Sequence, residues 1–302
     1  MFLKKDVFLH PNNQPLIKTK KTMIRIAISS NESQKYEILR LIERMGIRLL
    51  STHTGTRNQS TNFPAEFLFV PENDIPALTA TGLVDLAIVG QHLIDETQAD
   101  IDILRELTIG TRKLAIVAAL DNKKIPDNLN GYTIATAMPN ILSKHLKANG
   151  LRAKIFATTS GRELVQAGLS DLYFACIAPD ENLTNSGLRH FETVAECKLV
   201  LAANKNLSPL NKTFVDELLF RFDATHDAKS KKLVSMHIQN DYCDDILELL
   251  PSLQQPLVLP IDNNTSMLQT VMDEIRFWDI VEKLKELHAT NIVLTPIGQI
   301  IH

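Results

Sequence analysis

The sequence predicts an α/β protein of two lobes followed by a smaller βαββαβ module. Three observations carry that expectation. Strand-like and helix-like stretches alternate from Met23 to about residue 226. Several strand-like stretches, "VDLAIVG" and "RKLAIVAAL" among them, are apolar almost throughout, as strands buried on both faces are. Beyond Ser230 the order becomes strand, helix, two strands, helix, strand, that of a ferredoxin-like module.

Each element follows in turn. Residues 1–22 have charged flanks around an apolar stretch too short for a signal segment, with no small-residue cleavage site, and are expected as an extension. "MIRIAIS" alternates as a first strand, and "SQKYEILRLIERMG" places Ile38, Leu41, Ile42 and Met45 on one helix face with Gly46 as a C-cap. "AEFLFV" reads as a strand, "NDIPALTATG" as a short helix closed by Gly82, and "VDLAIVG" as a buried strand. "RKLAIVAAL", "YTIAT", the helix "NILSKHLKANG", "AKIFA", the helix "RELVQAG" and "SDLYFACI" form a second series. "KLVLAAN" returns the chain to the first series before the helix "PLNKTFVDELLFRFDAT". Lobe I is thus expected at 23–115 and 195–226, lobe II at 116–194, and the terminal domain at 230–302, with "ATHDAKSKK" as the boundary. That terminal domain has an apolar stripe of Phe277, Ile280, Val281, Leu284 and Leu287 on its last helix. Open α/β sheets bind ligands beyond the carboxyl ends of their strands, so the site is expected in a cleft between the lobes.

Composition excludes several classes. The 302 residues carry 32 basic and 35 acidic side chains, a net charge of -3, which predicts no nucleic-acid face. No apolar run approaches a membrane span. The three cysteines, Cys176, Cys197 and Cys243, are far apart and in neither CxxC nor CxxH spacing, which predicts a reducing, cytoplasmic setting without disulfide or zinc frameworks. None of the nine histidines pair at metal-ligand spacing, and there is no Walker loop, GxGxxG or Ser-His-Asp order.

The segments "NDIPALTATGLVDLAIVGQHLI", "TIATAMPNIL", "AGLSDL", "LLFRF" and "DDILELLPSLQQPLVLP … RFWDIVEKLKELHATNIVLTPI" resemble the long form of ATP phosphoribosyltransferase, the first enzyme of histidine biosynthesis. The resemblance runs in order from Met23 to Ile301. It implies a two-lobed catalytic unit of the type II periplasmic-binding-protein kind and a C-terminal ferredoxin-like domain that binds histidine as feedback inhibitor. It further implies phosphoribosyl transfer from phosphoribosyl pyrophosphate (PRPP) to N1 of ATP, Mg²⁺, and assembly as dimers or hexamers.

The resemblance also marks where ligands should sit, and there the sequence departs from it. The family's strand aspartate and Thr-Gly-(Ala or Ser)-Thr phosphate loop correspond here to Ala175 and to Ala178, Pro179, Asp180, Glu181 and Asn182. Small residues let backbone N–H groups close on phosphate, and a helix N-terminus adds partial positive charge. Pro179 removes a donor, and a carboxylate about 4 Å from a phosphate oxygen repels it by roughly 4 kcal/mol at an effective dielectric near 20. Asp180 and Glu181 offer an alternative as Mg²⁺ ligands that meet the phosphate through the metal.

Elsewhere the drift is milder. The turn "SSNESQ" lacks the family's cation, Lys113 beside Arg112 stands for an arginine, and Met138 replaces a tyrosine between Thr136 and Pro139. Glu163 lies one place out of the family register. Asp85, Gly90, Thr136 and Pro139 match family positions, yet strand termination, packing and turn formation account for them equally, and Arg57 reads as a solvated loop residue. Leu257 stands at the threonine place of the tail's histidine site, against feedback by histidine. Two functions remain open on these residues: the phosphoribosyltransferase itself, or a noncatalytic relative that binds another small molecule or modulates an intact paralogue.

Overall fold

The structure, a computed structural model, describes residues 23–50, 55–121, 128–178, 181–250 and 255–301. The expected extension at 1–22, together with Pro179 and Asp180, lies outside the described residues.

The first series comprises β1 (Ile24–Ser29), α1 (Glu32–Arg44), β2 (Arg57–Gln59), β3 (Ala65–Val70), α2 (Ile75–Ala80), β4 (Leu86–Gly90), α3 (Gln91–Thr97) and β5 (Ile101–Glu106). The second is β6 (Arg112–Ala119), β7 (Thr133–Thr136), α4 (Pro139–Ala148), β8 (Lys154–Ala157), α5 (Gly161–Gln166), β9 (Leu172–Ile177) and β10 (Leu188–Cys197). The chain returns through β11 (Leu199–Asn204) and α6 (Pro209–Ala228). It ends in β12 (Lys231–Gln239), α7 (Cys243–Leu249), β13 (Leu257–Pro260), β14 (Thr265–Asp273), α8 (Glu274–Glu286) and β15 (Thr290–Pro296).

Local chemistry accounts for the helices that frame the site. The Asn31 side chain accepts from the Gln34 N–H to start α1, whose face of Ile38, Leu41 and Ile42 is buried on the first sheet. Gly46, at φ +74°, supplies the left-handed residue just past the helix end. Ser208 caps α6 through Asn211 N–H at 3.1 Å.

Three sheets result, in orders β2-β3-β1-β4-β11-β5, β10-β6-β9-β7-β8 and β13-β14-β12-β15. The first sheet is parallel through β3, β1 and β4, and β11 enters antiparallel between β4 and β5. Helices cover each sheet over its own apolar cluster, as the alternation predicted. The third sheet is antiparallel with β12 and β14 at its centre, a ferredoxin-like arrangement. Its last residues return to lobe I, where Ile300 N–H donates to Ala224 O and Gln299 to Arg44 O.

The division between the lobes differs from expectation. The lobes divide at Leu107–Thr111 and at Lys198, so β6 stays whole in the second sheet instead of being cut at residue 115. The polar stretch "ATHDAKSKK" does mark the passage to the terminal domain, and within it α6 continues to Ala228, burying Ala224, Thr225 and Ala228, before β12 begins at Lys231. Arg57, expected in a loop, opens β2 and pairs with Glu66 at 3.6 Å.

Candidate active site

Both crossovers leave the first sheet at one edge. Gly90, at the carboxyl end of β4, pairs with Leu199 at the start of β11, and Leu107 N–H donates to Leu199 O. Across the junction, β6 begins beside the end of β9, with Lys113 opposite Ile177. The carboxyl edges of the two sheets therefore face each other, where an α/β protein of this type holds its ligand.

Helix α3 spans the junction from lobe I. Its Glu96, 8% exposed, accepts from Asn140 N–H (3.0 Å) through one carboxylate oxygen and from Ile141 N–H (2.9 Å) through the other. The Asn140 side-chain amide donates to Glu96 O at 2.9 Å. These are free N–H groups of the first turn of α4, where Pro139 sits without a donor to lose and Met138 supplies no side-chain cap. A carboxylate there also meets the positive end of the helix dipole.

One turn earlier on the same face lies His92, 4% exposed, with its Nδ1 buried and unpartnered. Its ring occupies the space over Gly90: a Cβ on Gly90 would meet ring atoms at 2.3 and 2.5 Å. Facing it from lobe II are Cys176 on β9 and Cys197 at the end of β10, their sulfurs 3.7 Å apart. The Cys176–Cys197 hydrogen bond holds the Cys197 thiol below its ordinary range, helped by the neighbouring Arg112 guanidinium. The same bond and burial push Cys176 up. Cys176 and Cys197 thus lie in contact although 21 residues apart, and all three cysteines are free thiols.

The expected site residues divide into three groups. Asp85 is at the amino end of β4, away from the cleft, accepting from Arg25 N–H (2.8 Å) and Asn211 Nδ2 (2.7 Å); it ties β1, β4 and α6 together. Thr136 is fully buried, its hydroxyl donating to Phe174 O at 3.0 Å and accepting from Met138 N–H at 2.9 Å, so it braces the β7–α4 turn. Ala175 is 3% exposed in an apolar cluster with Ala115, Val117 and Val165, and is no part of a solvent-facing turn.

Gly90, Lys113 and Pro139 do lie where the lobes meet, at the end of β4, the start of β6 and the start of α4. Beyond β9, Glu181 pairs with Arg162 of α5, and Asn182 Oδ1 accepts from Asn185 N–H at 3.1 Å. Glu163 is exposed on α5. Tyr173 packs its ring over Gly161, where a Cβ would meet it at 2.3 Å. Burial raises the Tyr173 hydroxyl pKa, an effect Arg162 opposes. Glu181 is therefore not the bare repelling charge that the sequence suggested, because it has its own cation.

With this two-lobed scaffold and its cleft edge in view, the comparisons decide the family. The ATP phosphoribosyltransferase profile matches residues 71–224, and the profile "HisG, C-terminal domain" matches residues 228–299. The chain belongs to the ATP phosphoribosyltransferase family. ATP phosphoribosyltransferase of Bacteroides fragilis is 36% identical over 282 residues, covering 92% of this chain and all of that protein. Its counterpart in Bacteroides thetaiotaomicron is 34% identical over the same span. Among solved structures, the ATP phosphoribosyl transferase (HisG:HisZ) complex from Thermotoga maritima superposes with a TM-score of 0.52 at 16% identity, over 67% of this chain and 99% of that chain. That last likeness supports the fold of the two lobes.

Sequence reasoning missed Glu96, His92, Arg162 and Lys35 as residues of this edge. Lys35 follows the cation-free β1–α1 turn and brings its ammonium 4.8 Å from the Phe69 ring centroid and 3.4 Å from Glu32. A signal for α3 was present: His92 and Glu96 stand four apart on the face shared by Leu93 and buried with it. Polar groups buried on one helix face require partners elsewhere.

Proposed function

We propose that this protein is an ATP phosphoribosyltransferase, joining C1 of the ribose of PRPP to N1 of ATP and releasing pyrophosphate at the first step of histidine biosynthesis. The observation that carries this reading is that the chain matches family members along their whole length, with two cations, Arg112 and Lys113, opening β6 where the lobes meet. The reaction needs no protein nucleophile. As the C1–O bond to pyrophosphate breaks, positive charge develops on the ribose and the adenine N1 lone pair attacks it. The protein's task is to align two anionic substrates and balance the departing pyrophosphate.

Mg²⁺ belongs with the substrate in this scheme. Glu181, one of the two carboxylates considered for it, is engaged by Arg162 and does not fit a protein-held hard cation. Mg²⁺ enters on the polyphosphates, which is how this ion usually binds where phosphates are present. We further propose a cytoplasmic homo-oligomer. Among the described residues no helix is long and apolar enough to cross a membrane.

The second reading, a noncatalytic relative, draws on Ala175, which leaves β9 without a carboxylate toward the ribose, and on Glu96, which occupies the N-terminus of α4. One assay separates the two. Purified protein with ATP, PRPP and Mg²⁺ is expected to release pyrophosphate with stoichiometric formation of the N1-substituted adenine. No turnover, together with PRPP binding weaker than about 1 mM by calorimetry, would overturn the enzymatic reading.

A further inference from the structure

His92, Cys176 and Cys197 bring one ring nitrogen and two sulfurs within 4.8 Å of one another. All three sit where the lobes meet: His92 on α3 of lobe I, Cys176 on β9, and Cys197 one residue before the Lys198 crossover. We propose that this trio is a binding site for a soft divalent ion of the zinc class, which staples the two lobes at their junction.

The sulfur spacing is that of a metal site. Two thiolates on one tetrahedral Zn²⁺, each at about 2.3 Å, stand about 3.8 Å apart. The observed Sγ–Sγ distance is 3.7 Å. A nitrogen at about 2.0 Å on the same ion lies roughly 3.5 Å from each sulfur. The His92 ring must therefore close by little more than 1 Å at most from its 4.8 Å limit, a small rotation about its side-chain bonds.

A disulfide fits less well. Cys176 and Cys197 are on strands separated by β6 in the order β10-β6-β9. Two strand spacings of about 4.8 Å put their backbones roughly 9 to 10 Å apart, beyond the ~7 Å over which a disulfide forms without backbone movement. A metal adds the missing reach.

Independent observations point to a ligand at this place. His92 is 4% exposed and its Nδ1 has no partner, a cost that a packing histidine would normally avoid. Gly90 has φ -64°, a conformation open to any residue, so the glycine is needed here to admit the His92 ring, which it holds at the junction, and not for backbone freedom. Two thiolates and one imidazole also neutralise a divalent ion, which suits a buried position, and leave a fourth place for water.

The test uses the full chain, purified under reducing conditions and freed of metal. Titration with Zn²⁺ against a chromophoric chelator is expected to show one tight equivalent per chain. Co²⁺ in its place should give thiolate-to-metal charge-transfer absorption of two sulfurs at the same stoichiometry. Cys176→Ser, Cys197→Ser and His92→Ala should each weaken binding at least about tenfold, while Cys243→Ser, whose thiol lies in the terminal domain, should leave it unchanged. The wild-type cobalt spectrum keeps the test decisive if a variant fails to fold. Absence of the charge-transfer band, or loss of binding in Cys243→Ser with retention in Cys176→Ser, would overturn the proposal. Activity need not be measured, so failure here leaves the phosphoribosyltransferase reading intact.

Discussion

Replacing Glu96 by glutamine keeps the shape of the inter-lobe contact and removes its charge. In the native protein one carboxylate takes the N–H groups of both Asn140 and Ile141, at 3.0 and 2.9 Å, on the first turn of α4. Glutamine can accept only one of them, leaving the other N–H facing an NH₂ donor, which costs about 1–3 kcal/mol in a buried setting. Loss of the charge at the helix end contributes up to about 2 kcal/mol in partly buried geometries. The two overlap, so the expected loss is about 2–3 kcal/mol. For a unit the size of the two lobes each kcal/mol moves Tm by about 2–4 °C, giving a drop of roughly 4–12 °C. Asn140→Ala removes only the amide bond to Glu96 O and should cost about 1 kcal/mol.

Thermal and urea unfolding followed by circular dichroism check both variants. A second readout separates a charge effect from general damage. Glu96→Ala frees the α4 N-terminus as an anion site, so phosphate should stabilise this variant more than the wild type. A Glu96→Gln protein that melts within about 2 °C of wild type, or an alanine variant indifferent to phosphate, would refute the argument that this carboxylate holds the lobes through the helix end.

Asp85→Ala should lower stability by about 3 kcal/mol, because it strands Arg25 N–H and the buried Asn211 amide, while KM for PRPP stays unchanged; a KM effect without destabilisation would restore a ligand role. Ala175→Asp puts a carboxyl among Ala115, Val117 and Val165 and should cost about 1–3 kcal/mol or more without tightening PRPP, as measured by melting and calorimetry; tighter binding would mean that the strand turns its side chain to the cleft. Millimolar histidine should leave the melting of the terminal domain unmoved, since an exposed Leu257 opens β13 where the family has a threonine; at 100 times its dissociation constant a bound ligand would add about 2.7 kcal/mol, a shift of several degrees that would disprove this.

The elements legible in the sequence were those with one strong period. β1, β4 and β11 carry buried apolar runs, and α1 and α8 carry clean stripes. β10 escaped because its register shifts between His190 and Glu192 and again between Thr193 and Ala195, so no simple alternation survives in "LRHFETVAEC". β5 is an edge strand with most of its side chains outside the core, and α3 is only seven residues long. The stretch "ATHDAKSKK" stood out as a boundary by its polar composition, but composition does not report that Ala224 and Ala228 are buried residues of a helix already under way.

The site was legible only in part, because its bonds join distant segments. Glu96 meets Asn140 across 44 residues, a pairing that waits on the two lobes being assembled, and Arg162 meets Glu181 across 19, a pairing that waits on the fold of lobe II. The fold explains why α3 matters out of proportion to its length. It leaves β4 at the crossover edge, and its buried face holds two polar residues one turn apart, His92 and Glu96, each aimed at the other lobe. Neither is satisfied within lobe I, so burying them is favourable only when lobe II is docked. The contact between the lobes thus runs through one short helix, with the carboxylate holding α4 and the imidazole facing the two sulfurs.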